Sequence, residues 1–103
     1  MCPHPSDIAA PIAPPPARTA LIEPARVAVV VPAWNETGKI GDVVRKIPRQ
    51  WAATVIVVDD CSDDDTAGEA RAAGAEVVVR HEQNRGVGAG IRTGLLEAKR
   101  RGI

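Results

Sequence analysis

The chain has 103 residues, and its thirteen basic and thirteen acidic side chains cancel to a formal net charge of zero. That length is the scale of one domain, and the neutral balance excludes a whole-surface basic footprint for nucleic acid. With two Trp and no Phe or Tyr, any core must be built from Val, Ile, Leu and Ala. Cys2 and Cys61 lie far apart in unlike surroundings, which suggests neither a disulfide framework nor a zinc spacing and fits a reducing cytoplasm.

Residues 1–26 differ from the rest. The run Ala13-Pro14-Pro15-Pro16-Ala17 forbids a helix. No apolar stretch reaches the length of a signal h-region or a membrane span. The composition predicts a disordered leader over 1–26, with the folded part spanning 27–103. A folded part of that size can bury only a modest core.

Val27 to Pro32 is a continuous β-branched run, expected to be a strand buried on both faces. Ile40, Val43, Val44 and Ile47 recur at i, i+3, i+4 and i+7, one face of a helix that Pro48 stops. Thr54 to Asp60 reads as a second buried strand. "SDDDTAGEARAAG" reads as a capped helix, with Ser62 or Asp63 as the cap, the acidic cluster at its positive end, and Gly74 closing it. Ala75 to Arg80 is a third strand. "NRGVGAGIRTGLLEAKRRG" is a glycine-rich loop entering a helix, with Val87, Ile91, Leu95 and Ala98 as its apolar stripe and Glu97 placed to pair with Arg101.

The order β-α-β-α-β-α with short connections predicts a parallel, Rossmann-like α/β sheet with helices on both faces. In such sheets ligands lie beyond the carboxyl ends of the strands, where "PAWNE" and "DDCSDDDT" both fall. A strand-end carboxylate there can accept N–H donors from a nucleobase edge, uracil N3–H or the guanine N1–H/N2–H pair. The same aspartates could equally cap the next helix. Trp34 could lie beside a base or ribose or cover the small core. Glu36 could accept from ribose hydroxyls or serve as a first-turn acid. Gly86, Gly88 and Gly90 would let backbone approach an anion at a helix start, or allow close helix–strand packing. Ile91 breaks the dinucleotide G-x-G-x-x-G pattern, and no Gly-Lys-Ser/Thr follows for a P-loop. "DDCSDDDTAGE" lacks the alternation and the glycine of a calcium loop. His81 reads as a loop residue.

Together, "VAVVVPAWNE", "VIVVDDCSDDDT" and "NRGVGAGIRTGLLEA" resemble the amino-terminal half of the family 2 glycosyltransferases, which have the GT-A fold. The nearest likeness is to the polyprenyl-phosphate (dolichyl-phosphate) mannose or glucose synthases. The resemblance covers Val27 to Ile103. It implies transfer of a hexose from a nucleotide sugar, GDP-mannose or UDP-glucose, to a polyprenyl phosphate, at the cytoplasmic face of a membrane. It places Pro32, Trp34 and Glu36 in the nucleotide pocket, with Trp34 where the family usually has Tyr. Val58 and Asp60 would meet the base, Asp59 would support the loop, and Arg85 and Gly86 would border the donor. The family holds Mg²⁺ or Mn²⁺ with an Asp-x-Asp motif on a following strand. That motif and the catalytic base are absent here, so the reading expects a donor-binding fragment with no catalytic residue and no metal ligand of its own, inactive alone. It also expects the apolar first strand to be an exposed edge that invites self-association. A non-catalytic nucleotide-binding or interaction module is the alternative.

Overall fold

The computed structural model describes residues 23–103. Three parallel strands form one sheet in the order β1-β2-β3: β1 is Ala28–Ala33, β2 is Thr54–Asp59 and β3 is Val77–Arg80. The helices are α1, Ile40–Lys46, α2, Thr66–Ala72, and α3, Val87–Arg100. The expected alternation and parallel sheet are thus present, with each strand shifted by a residue or two at its ends. The expected leader lies, for residues 1–22, outside the described residues. Its last residues enter the fold: Pro24–Arg26 form a 3-10 turn, and the Ala53 amide donates to the Pro24 carbonyl.

β2 is the spine. Its residues Val55, Ile56, Val57 and Val58 are wholly removed from solvent, each side chain contributing about 1.5–3 kcal/mol of burial. Alternate side chains feed opposite faces. Val55 and Val57 join Ala33, Ile40, Val44 and Ala70 under α1 and α2, while Ile56 and Val58 join Val77 and Ala98 under α3. Helices therefore cover both faces, as a continuous apolar strand demands.

Two predicted helix faces need correction. Val43 is exposed, and α1 buries Ile40, Gly41 and Val44 instead. On α3, Val87, Ile91 and Leu95 are exposed and only Ala98 of the expected stripe is buried. The buried face is Gly90, Gly94 and Ala98. The reason is proximity. A Cβ on Gly94 would lie 2.2 Å from Val30 Cγ1, and one on Gly90 would lie 3.1 Å from Pro32 Cβ. The helix backbone rests on the sheet, so its larger apolar residues point elsewhere. Glu97 does pair with Arg101 (2.9 Å) and also with Arg100 (2.6 Å). The hydrogen bonds from Arg100 and Arg101 draw the Glu97 carboxyl down to about 2.

Gly94→Ala tests this packing. Alanine favours the helix by about 1 kcal/mol, but β-branched Val30 is stiff and cannot turn aside. The expected net effect is a loss of about 1–3 kcal/mol of stability in denaturant unfolding. A stabilised variant would show that α3 does not lie so close to β1.

Candidate functional site

The carboxyl ends of the strands are joined by side chains that satisfy backbone groups of neighbouring loops. After β1 the chain turns through Asn35, whose φ of 51° is left-handed. Its amide donates to Ser62 Oγ (2.8 Å), and its side-chain Oδ1 accepts from the Asp63 amide (2.8 Å). The next amides also find side chains from the β2–α2 segment: Glu36 N–H donates to Thr66 Oγ1 (2.9 Å), Thr37 N–H to Asp64 Oδ2 (3.3 Å), and Gly38 N–H to Glu69 Oε1 (2.7 Å). Glu69 Oε2 accepts from the Gly41 amide at 2.8 Å. It thereby serves an orphan donor in the first turn of α1 and places negative charge at that helix's positive end.

The acidic stretch is therefore a clamp on the first loop as well as a helix start. Neither Ser62 nor Asp63 caps α2, which corrects the sequence reading. The cap position is Asp65, which makes no side-chain cap bond; the Thr66 amide in the first turn is met instead by Asp64 Oδ1 (3.1 Å), which also accepts from the Thr66 hydroxyl. The Thr66 hydroxyl bond, followed by those from Thr37, holds the Asp64 carboxyl below its ordinary value. Ser62 turns inward, its amide and hydroxyl both donating to Asp59 Oδ1. Asp59 is fully buried, with Oδ2 3.6 Å from Arg80 Nη1. It thus holds its own loop, the supporting role expected of it.

Asp60 joins the second and third strand ends. Its amide continues the ladder by donating to the Ala33 carbonyl at 2.8 Å. Its carboxylate gathers the glycine-rich loop: Oδ1 accepts from the Arg85 amide and Oδ2 from the Gly86 amide, each at 2.8 Å. Gly86 has a φ of 91°, a backbone state that favours glycine. That turn aims two successive amides at one carboxylate just ahead of α3.

His81 is not the loop residue the sequence suggested. It is buried, with Nδ1 2.8 Å from Asp60 Oδ1 and Nε2 2.7 Å from Thr93 Oγ1. An ionised carboxylate only accepts, so Nδ1 carries the proton. Nε2 pairs with the Thr93 hydroxyl on the other side of the ring. The missed signal was the pairing of a β3-end His with a Thr on the α3 turn facing the sheet. The His81 bond, then the Arg85 amide, lowers the Asp60 carboxyl below its ordinary value, against the opposing effect of burial.

These ends enclose a cavity of about 250 Å³ lined by Pro32, Ala33, Trp34, Glu36, Asp60, Gly86 and Val87. Five of the residues expected at the site, Pro32, Trp34, Glu36, Asp60 and Gly86, meet there. Ala33 joins them without having been singled out, and so does Val87, which was expected in the apolar stripe of α3. Val58 does not line the cavity: its side chain is fully buried, beneath the face where α3 presents Gly90. Arg85 gives its amide to Asp60, but its side chain borders two neighbouring grooves, one with Arg92 and Thr93 and one with Arg80, His81 and Glu82. The cavity wall thus carries one exposed aromatic ring, two carboxylates and no cationic side chain, suited to a neutral ligand rich in donors. Among the described residues no group of three or more His, Cys, Asp or Glu could hold a metal ion, so the Mg²⁺ or Mn²⁺ implied by the resemblance has no fitting ligand set there.

A parallel three-stranded sheet with helices on both faces and a ligand-sized cavity at its carboxyl edge defines a Rossmann-like α/β domain. The chain belongs to Glycosyl transferase family 2, which it matches over residues 28–101. It is 40% identical over 67 residues to an uncharacterized protein of Methanocaldococcus jannaschii, covering 65% of this chain and 27% of that protein. It is 42% identical over 72 residues to uncharacterized glycosyltransferases of Mycobacterium tuberculosis and Mycobacterium bovis, covering 70% of this chain and 31% of each. The chain therefore spans about three tenths of these relatives' length. No solved structure matches it significantly.

The titration of Asp60 tests the loop bonds. A carboxyl whose folded pKa is depressed contributes stability that is complete above its unfolded value, about 3.9, and is lost as pH falls through the lower folded value. The ¹³C shift of the Asp60 carboxyl is expected to titrate below 3.8, the ordinary value. A midpoint at or above that value would mean that His81, Arg85 and Gly86 do not hold it.

Proposed function

We propose that this domain binds the nucleotide-sugar donor of a glycosyltransferase that moves a hexose, from GDP-mannose or UDP-glucose, to a polyprenyl phosphate. The observation that carries the reading is the single cavity in which Pro32, Trp34, Glu36, Asp60 and Gly86 meet. Trp34, half exposed, offers a ring face to a base or ribose. Glu36 accepts from ribose hydroxyls. Asp60 accepts an N–H from the base, and the Arg85–Gly86 turn that it fixes forms the opposite wall. The diphosphate lies outward, toward the groove of Arg85 and Arg92, away from the two carboxylates. Transfer breaks the bond between the sugar's anomeric carbon and the diphosphate oxygen and forms one from that carbon to an acceptor phosphate oxygen; the nucleoside diphosphate leaves, and this site's part is to hold its nucleoside end still.

The acceptor places the reaction at the cytoplasmic face of a membrane, with the domain peripheral to it. No helix of the described residues is long and apolar enough to cross a membrane. The outer edge of β1 has no partner strand among the described residues, and through it the chain associates with itself or with further sheet.

Calorimetry with UDP and GDP, with and without Mg²⁺ or Mn²⁺, tests the reading. Because the described residues hold no cluster of three or more metal-ligating side chains, binding of at least one nucleotide is expected, with an affinity nearly independent of metal. Failure of both to bind would remove the donor-site assignment. Strong metal dependence would show that the chain holds the ion in a way the described residues do not.

A further inference from the structure

We propose that the cavity selects a base with a single edge N–H, uracil, over guanine, and that His81 sets this preference. The inference rests on the donor-site reading and goes on to name the base.

The argument is a count of acceptor positions. An ionised carboxylate has about four lone-pair positions, two on each oxygen. On Asp60, Oδ1 takes the proton of His81 Nδ1 and the amide of Arg85, and Oδ2 takes the amide of Gly86. One position remains, on Oδ2. His81 cannot swing away to free another, because Thr93 holds the far side of its ring at 2.7 Å and the side chain is buried.

Guanine presents two neighbouring donors, N1–H and N2–H, which need two acceptors side by side. Against Asp60 one of them would face an oxygen already filled, and a desolvated donor left unpaired is costly. Uracil presents N3–H alone between two carbonyls and matches the single open position. Adenine and cytosine offer an amino N–H to the open position, but beside it a ring-nitrogen lone pair that the carboxylate repels. The other carboxylate of the cavity, Glu36, lies on the β1 side, where the ribose rather than the base edge would meet it.

The test is a titration, followed by NMR, of the purified chain with UMP, GMP and 3-methyluridine monophosphate, which share one phosphate and differ in the base edge. UMP is expected to bind about tenfold or more tighter than GMP, and N3-methylation to cost UMP about as much, the scale of one hydrogen bond to a charged group. GMP binding as well as UMP, or the methylated nucleotide binding as well as UMP, would overturn the base preference while leaving a nucleotide site in place. If none of the three bound, the donor-site reading would itself fall. In His81→Leu the Oδ1 position is freed, so the ratio of UMP to GMP affinity is expected to shrink toward one. A parallel loss for both nucleotides at an unchanged ratio would reduce His81 to a structural residue. The nucleotide series on the unaltered chain does not depend on that variant folding.

Discussion

The carboxylate of Asp60 is where the three strand ends become one site. β2 delivers it to the sheet edge, and its own amide extends the ladder to Ala33 of β1. Its oxygens draw in His81 from the end of β3 and the Arg85 and Gly86 amides from the turn before α3. Without it, two amides and an imidazole would lack their acceptor, and the wall of the cavity opposite Trp34 would lose its anchor. Hydrogen bonds to a charged acceptor are the stronger kind, and this one gathers groups that the chain brings from 21 to 26 residues away.

A second layer of the same design lies beneath the first loop. Ser62, Thr66, Asp64 and Glu69 accept in turn from the amides of Asn35, Glu36, Thr37 and Gly38, and Glu69 also from that of Gly41. A loop carrying Trp34 and Glu36 is thus held by its backbone, which leaves those two side chains available to a ligand. Asp64 and Glu69 serve to position that loop. The two aspartates at the end of β2 divide the labour in the same way. Asp59, fully buried, fixes Ser62, and Asp60 fixes the opposite wall while keeping one acceptor position open.

Much of the fold was legible in the sequence because it rests on local signals. Continuous β-branched runs marked the strands, Pro48 and Gly74 marked helix ends, and strand-end polar residues marked the sheet edge. What failed to read were properties set by distance in space. The apolar stripe of α3 was read from period alone. The true contact face is made of glycines, since only a residue without Cβ can approach Val30 so closely. Val43 followed the helical period yet faces outward, because α1 is short and buries only Ile40, Gly41 and Val44. His81 carried no neighbouring partner in sequence, since Asp60 and Thr93 reach it from 21 residues before and 12 after. The acidic run was read only as a helix start, since the loop that Asp64 serves lies 27 residues earlier, and the one that Glu69 of α2 serves lies 31 earlier. Of the cavity's lining residues, Trp34, Glu36 and Asp60 were expected from their strand-end positions, whereas Ala33 offers no chemistry that sequence alone would notice.

On the proposed function, loops fixed by Asp60, Asp64 and Glu69 form one nucleoside cavity between Trp34 and Gly86. Amide chemical-shift mapping during addition of UMP tests it most directly. The account predicts shifts concentrated at Ala33–Glu36, Asp60 and Gly86–Val87, with the far ends of the strands unmoved. Shifts confined to the neighbouring groove at Arg80–Gln83, with Trp34 and Asp60 unaffected, would contradict it.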